Sequence, residues 1–329
     1  MKRSEKRKSK RKGLRKIFLV TTLVAVMGII YWVYQYNSGK SLASESVIKD
    51  DKTIFEPFEG ADPQFGEINV LLLGSDARGD EDARSDSLMI AHYDQTTNDV
   101  KLVSIMRDTY VDIPDHGKQK INSAFAFGGP ELVRKTIKQN FDIDVQYYAI
   151  VDFTGFSKIV DVIAPEGIEV DIPYAMSHGI GMTLQSGNQF LNGDQLLGYV
   201  RFRHDIQSDF GRVERQQEAL SKLKEQAVSI HNLMNLPKLL GVVESYVNTN
   251  VDNRTLLTIG KGLLIGKSKK IETLRIPVAN SYVDERVNVG AVLSIDFEKN
   301  KQSLQQFLSS ENNIGSVELD EIRPLEKRL

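Results

Sequence analysis

Residues 68–73, Ile-Asn-Val-Leu-Leu-Leu, make an almost unbroken apolar run that stops at Gly74. A run this short, ended by a turn residue, reads as a buried strand rather than a helix. Working outward, Leu88–Tyr93 and Val100–Ile105 are two further strands, joined near Asn98 and Asp99. Pro130 after Gly128 and Gly129 suits a first helical position, and Val133, Ile137 and Phe141 share one stripe behind it. Tyr147–Val151 reads as a strand, Thr154–Ile163 as a helix and Ile168–Ile172 as a strand. Helices follow at Asp194–Tyr199, Arg212–His231 and Leu236–Val247, with a late strand over 271–276. Strands and helices interleaved in this way predict an α/β fold, a central mixed sheet covered by helices on both faces. No internal repeat is visible.

The chain has 329 residues, 41% of them hydrophobic, enough for one large or two small domains. It contains no cysteine, which excludes disulfides, zinc–thiolate sites and thiol nucleophiles. Charge is strongly polarised. Met1–Lys16 holds ten Lys or Arg and one Glu, whereas the remainder carries 32 basic against 43 acidic residues.

Directly after the basic block, Ile17–Tyr34 runs eighteen residues without a charge. As a helix this segment is about 27 Å long, sufficient to span a bilayer with little tilt. Tyr31, Trp32, Tyr34 and Tyr36 gather at its far end, where amphipathic rings favour the membrane interface. The basic flank predicts a cytoplasmic tail at 1–16, a transmembrane anchor at 17–36 and everything beyond outside: a single-pass, type II cell-membrane protein. The rival, a cleaved signal peptide, is disfavoured by the length of the apolar run and the lack of a small-x-small cleavage site. Residues 37–66 read as a polar stalk, 67–309 as the folded domain and 310–329 as a solvated tail.

Candidate chemistry lies in three places. Arg201–Gln217, RFRHDIQSDFGRVERQQ, sets Arg201, Arg203, Arg212 and Arg215 around a helix start. Cations crowded at a helix N-terminus cost about 0.3–1 kcal/mol each unless something negative joins them, so a phosphate is the expected guest. On the long helix Val213, Gln217, Leu220, Leu223 and Ala227 share a face, and Arg212, Arg215 and Gln216 lie off it, so the core does not need the arginines. The loop after Leu73, GSDARGDEDARSD, places Asp76, Arg78, Arg84 and Asp86 at a strand's carboxyl end, where ligands of open α/β sheets sit. Two carboxylates there suit Mg²⁺, or Mn²⁺ in its place; the alternative is a solvated set of compensating ion pairs. Arg107 and Asp108 emerge after Ile105, with Lys120 and Asn122 close in sequence. Arginine is the side chain best fitted to bidentate phosphate contact, and acids for metal beside arginines for phosphate make a phosphoryl-transfer set.

Other motifs fail. Gly266-Lys267-Ser268 resembles the end of a P-loop, but Lys261 stands where that motif needs glycine. Ser221–Lys224 matches Ser-x-x-Lys inside an amphipathic helix, without its partner motif. The five histidines show no metal spacing, and His204, beside the arginines, reads as structural.

The blocks LLLGSDAR (71–78), ARSDSLMI (83–90), SIMRDTYVDIP (104–114), KINSAFAFGGP (120–130) and GYVRFRHDIQSDFGRVERQQ (198–217), in this order behind one membrane span, resemble the LytR-CpsA-Psr family. The resemblance covers roughly residues 67–230 and is nearest the branch associated with regulating antibiotic resistance in Gram-positive cocci. It implies the family's α-β-α sandwich and an extracellular phosphotransferase. Such an enzyme moves a glycopolymer of the wall teichoic acid or capsule type from an undecaprenyl pyrophosphate carrier to peptidoglycan through a phosphodiester.

Carried over by position, the resemblance implies Mg²⁺ at Asp76 and Asp86, and pyrophosphate lined by Arg107, Arg201, Arg203, Arg212, Arg215 and Gln216, with Arg78 and Arg84 also in contact. Arg107 and Arg212 would stabilise developing charge, and Asp86 or Asp209 would accept the sugar hydroxyl's proton. Met106, Phe125 and the APEGI stretch at Ala164–Ile168 depart from the family's commonest residues; none is a charged site residue, so the departures bear on cargo rather than chemistry. Two other functions compete. A transcriptional regulator would act indirectly, since the chain lacks a helix-turn-helix signal and its acidic bulk disfavours nucleic acid. A polyprenyl-pyrophosphate hydrolase would use the same motifs with water as the attacking group.

Overall fold

The chain alternates between elements whose apolar residues recur every second position and elements where they recur every three to four. Residues 2–44, 56–62, 66–75, 85–227, 230–265 and 271–309 are described by the structure, a computed structural model. In chain order the elements begin with α1 (Lys2–Ser44), β1 (Glu67–Ser75), β2 (Ser85–Asp94), β3 (Asp99–Ile105), β4 (Tyr110–Ile113), β5 (Gly117–Lys120), α2 (Ser123–Phe141), β6 (Tyr147–Asp152), α3 (Phe153–Ile163) and β7 (Ile168–Ile172). They continue with β8 (Gly187–Leu191), α4 (Gly193–Arg201), α5 (Asp209–Ala227), α6 (Ile230–Tyr246), β9 (Val247–Thr249), α7 (Asn253–Ile265), β10 (Glu272–Ile276), β11 (Tyr282–Val287), β12 (Gly290–Ile295) and α8 (Phe297–Ser309).

The central sheet has six strands in the order β10-β3-β2-β1-β6-β9. β1, β2 and β3 form an antiparallel meander, β6 runs parallel to β1 and β10 parallel to β3, so the sheet is mixed, as the sequence predicts. Leu71, Leu73, Leu88, Ile90, Val103 and Ile105 point to one face and pack with Ile137 and Phe141 of α2 and Leu304 of α8. Ile68, Val70 and Tyr93 point to the other, under Val251 and Ile259. A second apolar cluster joins α3, α4, α5 and the β7–β8 hairpin through Val160, Val170, Leu196, Tyr199 and Leu223. Burying one large aliphatic side chain contributes about 1.5–3 kcal/mol, so the two clusters set which helices lie against which strands.

Several boundaries differ from the sequence reading for identifiable reasons. α2 begins at Ser123, with non-helical torsions at Gly128 and Gly129, so the helix expected from Pro130 is its second, straight part. α5 starts at Asp209 and ends at Ala227, and α6 extends back to Ile230 through Pro237. The β4–β5 and β11–β12 hairpins, β8, α7 and α8 carried no legible signal. β5 reads GKQK, the middle of β11 is exposed, and α8 buries only Asn300 and Leu304. Residues 310–329, expected as a tail, lie outside the described residues.

α1 continues past the expected anchor to Ser44, along ground that reads as stalk in the sequence, and its C-terminal end packs across α6. Among the described residues no helix is long and apolar enough to cross a membrane. α1 nevertheless leaves Phe18, Leu23, Met27, Ile29, Ile30 and Trp32 exposed. At the crossing, a Cβ on Gly39 would overlap the Lys238 carbonyl, and one on Gly241 the Tyr36 carbonyl. Both glycines are therefore required by the approach of the two backbones. Tyr36 and Lys40 both bond Glu244, Lys40 Nζ at 3.0 Å. Carbodiimide treatment of the full chain in detergent should couple Lys40 to Glu244 through a zero-length amide, detected by peptide mass spectrometry. Gly241→Leu, overpacked by about 1–3 kcal/mol, should abolish that product; no coupling in the unaltered chain would contradict the crossing.

Candidate functional site

Sheet register sets the first contact. Leu88 on β2 faces Ile105 on β3. Two residues before the one and two after the other, Asp86 and Arg107 therefore meet, and Arg107 NH1 donates to Asp86 Oδ1 at 2.9 Å. The N-terminal turns of α5 lie over this end of the sheet, tied down by Gln216 Nε2 donating to Ser87 Oγ at 2.8 Å and Gln217 Nε2 donating to Ser104 Oγ at 3.0 Å. That docking brings Asp209 and Arg212 to Asp86 and Arg107, and Arg203 arrives from the segment between α4 and α5.

The result is a compact lattice of charge. Arg107 NH2 lies 3.1 Å from Asp209 Oδ2, and its Nε 3.4 Å from Asp108 Oδ2. Arg203 NH2 lies 3.2 Å from Asp86 Oδ1, and its Nε 3.7 Å from Asp209 Oδ1. Arg212 sits further from the same carboxylates, 3.9 Å from Asp86 and 3.5 Å from Asp209. Lys120 Nζ donates to Asp108 Oδ1 at 2.7 Å. Among the described residues four cations thus share three carboxylates, leaving positive charge in excess.

Arg212 bears most of the cost. It is 2% exposed, and neither its Nε nor its NH1 has a hydrogen-bond partner among the described residues. Burial, with the neighbouring Arg203 and Arg107 charges, pulls its pKa down to about 10 despite Asp209 and Asp86. A buried guanidinium with idle donors is expensive unless an anion comes to it. For Asp86, burial pushes the pKa up, but Arg203, Arg107 and Arg212 outweigh it and hold the carboxyl below its ordinary range. Asp108 is likewise lowered, burial being overcome by Lys120 and Arg107. Arg107 is raised, because Asp209, Asp108 and Asp86 outweigh its desolvation.

The remaining expected residues fall differently. Gln216 reaches the cluster's edge at Ser87. Arg215 is buried, with NH1 on Asp205 Oδ2 at 2.6 Å and NH2 on the Phe202 carbonyl at 2.5 Å, its guanidinium against the Phe202 and Tyr199 rings. The core does use this arginine, contrary to the reading of the helix face, because Tyr199 and Phe202 belong to the second apolar cluster. Arg201 stacks over Phe153 at 4.1 Å from the ring centroid. Asp76, Arg78 and Arg84 lie outside the described residues, as does Gly266-Lys267-Ser268. His204 packs against His178 with the rings tilted, centroids 3.7 Å apart. Sequence reasoning missed Asp205, Tyr174 and Ser87; the only signal for Asp205 was an acid lodged between arginines.

A partly covered apolar strip runs away from the charges. Ser87, Met89, Ala91 and Tyr93 alternate onto one face of β2. On that face Leu72, Ala91, Val100 and Ala149 are only partly buried. A recess of about 570 Å³ opens at the Tyr93 end, lined by Gly66, Asn98, Thr258 and Lys261 among others, and it touches none of the clustered charges.

As for a metal, among the described residues no three His, Asp or Glu are grouped to hold an ion. The shortest contacts of all three guanidiniums on Asp86 converge on Oδ1. That donor set fits Mg²⁺ in its usual phosphate-bound mode, one or two carboxylates with the rest of the shell from phosphate and water, rather than a protein cage.

Known proteins share this arrangement's sequence and fold. The model of the LytR_cpsA_psr family matches residues 29–306. The chain belongs to that family. It is 43% identical over 284 residues to regulatory protein MsrR of Staphylococcus aureus (strain COL), covering 86% of each chain. It is 32% identical over 255 residues to the polyisoprenyl-teichoic acid–peptidoglycan teichoic acid transferase TagU of Bacillus cereus (strain AH820), covering 74% of this chain and 82% of that one. The solved structure of the family protein YwtF (TagT) with bound octaprenyl pyrophosphate lipid is similar at a TM-score of 0.57 and 25% identity, over 80% of this chain and 99% of that one. Family membership and the α-β-α sandwich both stand as the sequence motifs imply.

Two outcomes follow from the electrostatics. Arg212→Met removes a buried cation whose loss leaves Arg107, Arg203 and Lys120 balancing the three acids. The ligand-free protein should therefore gain about 1–3 kcal/mol, a rise of several degrees in calorimetric melting temperature, while losing its anion affinity. A large fall in melting temperature would contradict the assignment. For Asp86 and Asp108 the folded pKa is lowered, so their stabilising contribution is complete above the unfolded value of about 4 and disappears as pH falls through the folded value. Melting temperature should be flat with respect to these groups from about pH 5 to 8 and drop below about pH 4.

Proposed function

We propose that the protein is a membrane-anchored phosphotransferase on the outer face of the cell, transferring a glycopolymer of the wall teichoic acid or capsule class from an undecaprenyl pyrophosphate carrier to peptidoglycan. The observation that carries this reading is Arg212, a buried guanidinium with unused donors at the centre of an over-cationic cluster. A diphosphate supplies the missing negative charge and the missing acceptors at once. The half-covered apolar strip starting at Ser87 suits a polyprenyl chain leaving that diphosphate. TagU is named for this reaction, and TagT has been solved with a polyprenyl pyrophosphate, which supports the substrate class. Apolar exposure along α1, the basic amino end and the aromatic cluster at Tyr31–Tyr36 support a single-pass anchor with the catalytic domain outside.

In this reaction a peptidoglycan hydroxyl oxygen attacks the phosphorus attached to the glycopolymer. A new O–P bond forms, the bond from that phosphorus to the bridging oxygen breaks, and undecaprenyl phosphate leaves with the bonding pair. Arg107, Arg203 and Arg212 stabilise charge on the bridging and non-bridging oxygens, from positions fixed before substrate arrives. The hydroxyl proton passes to a carboxylate. Asp86 and Asp209 both lie among the arginines that would hold the diphosphate, and Asp209 Oδ1 is buried without a hydrogen-bond partner among the described residues, so Asp209 has an oxygen free to take the proton. Mg²⁺, or Mn²⁺ in its place, bound when substrate is present, would neutralise phosphate charge, held by Asp86 and Asp76. Regulation, the sense of the staphylococcal relative's name, then follows indirectly from wall assembly.

Product analysis tests the proposal. The full chain in detergent is incubated with polyprenyl-pyrophosphate-linked glycan, peptidoglycan oligomer and Mg²⁺. Glycan joined to peptidoglycan by a phosphodiester, with release of polyprenyl phosphate, is expected, together with at least a 100-fold loss for Arg107→Ala. Release of polyprenyl phosphate and free glycan phosphate alone would identify a hydrolase and overturn the transferase assignment.

A further inference from the structure

Arg203 meets Asp86 and Asp209 from a segment with no regular secondary structure, yet that segment is tightly braced. Asp205 is the hub. Its Oδ2 accepts from Arg215 NH1 at 2.6 Å and from the Tyr174 hydroxyl at 2.9 Å, and its Oδ1 accepts from the Ser208 backbone N–H at 2.6 Å. Ser208 takes left-handed torsions, φ 51°, to close that turn. Arg215 also donates to the Phe202 carbonyl at 2.5 Å. One guanidinium thus grips the chain immediately before Arg203 and, through Asp205, two residues after it.

Gly211 completes the device. A Cβ there would stand 3.0 Å from Asp205 Oδ2, the atom already pinned by Arg215 and Tyr174. A displaced carboxylate has no slack in which to move, so the first turn of α5 needs glycine at this point. Both side chains of the Arg215–Asp205 pair are almost fully buried, 8% and 6% exposed. Arg215 therefore has its terminal nitrogens committed to protein acceptors, unlike Arg212.

We infer that Asp205 and Arg215 are positioning residues, not diphosphate ligands, and that with Tyr174 and Gly211 they hold Arg203 and Asp209 at the spacing the diphosphate requires. This rests on the proposed diphosphate-binding function and deepens it. Tyr174 lies just beyond β7, so the brace ties the β7–β8 hairpin to the arginine segment. The arrangement also explains why the lone acid in RFRHD stands among cations: it neutralises Arg215 rather than competing for the substrate-facing guanidiniums.

The test is binding of inorganic pyrophosphate to the full chain in detergent, by calorimetry well below each variant's melting temperature. The unaltered chain should bind, and Arg203→Ala should weaken binding. Asp205→Asn and Arg215→Lys, which cannot hold the two grips together, should each weaken it about 10- to 100-fold, the cost of a misplaced contact. Tyr174→Phe and Gly211→Ala should weaken it several-fold in the same direction. The decisive reading is the double variant: Asp205→Asn should cost much less once Arg203 is already Ala, the remainder being its effect through Asp209. Unchanged binding in Asp205→Asn, or an equal loss in both backgrounds, would overturn the inference while leaving the diphosphate site intact. Failure of the unaltered chain to bind pyrophosphate would instead remove the function on which the inference stands.

Discussion

Uncompensated positive charge in a confined space is the constraint on which the rest of the structure depends. Among the described residues three arginines and a lysine meet three aspartates where strands end and α5 begins, and the surplus falls on Arg212, out of water and short of acceptors. Packing alone would not choose this arrangement, because similar buried charges are often replaced by apolar residues with a gain in stability. The fold tolerates it because two large apolar clusters lie elsewhere, one on the central sheet and one holding α5 to α3, α4 and the β7–β8 hairpin. Under the proposed function, stability is spent at one point so that a diphosphate finds its counter-charges already in place.

Backbone geometry does the assembling. Antiparallel pairing of β2 with β3 turns a sequence separation of twenty-one residues into a 2.9 Å contact between Asp86 and Arg107. Gln216 and Gln217 then dock α5 through the Ser87 and Ser104 hydroxyls, which alternate onto the face that receives it. Strand alternation also places the half-buried Leu72, Ala91 and Ala149 on a line leading from those contacts. The docked end of α5 and this half-buried strip therefore share one face of the sheet, with the charged side chains gathered at its edge.

The legible parts of this chain were those where one residue's chemistry suffices. Apolar runs at Ile68–Leu73, Leu88–Tyr93 and Val100–Ile105 identify three central strands without reference to anything else. The arginines around α5 announce an anion by their number. What stayed illegible depends on partners distant in sequence. Arg215 has the same side chain as Arg212 three residues earlier, and only the fold reveals that the terminal nitrogens of one are committed to Asp205 and Phe202 while the other keeps an idle terminal nitrogen. The Gly39–Gly241 crossing and the Asp205–Tyr174 bond join segments whose sequences contain no hint of each other. Short polar strands such as β5 are held by their hairpin partner and carry no pattern of their own.

The central claim is most directly tested by the melting temperature of the full chain in detergent as a short polyprenyl diphosphate is added, beside the matching monophosphate. A ligand that binds only the folded state stabilises by RT ln(1 + [L]/Kd), about 2.7 kcal/mol at a hundredfold excess over Kd. The account predicts a concentration-dependent rise with the diphosphate that is much smaller with the monophosphate, because only the former engages Arg107, Arg203 and Arg212 together. No rise with the diphosphate, or equal rises with both, would contradict it.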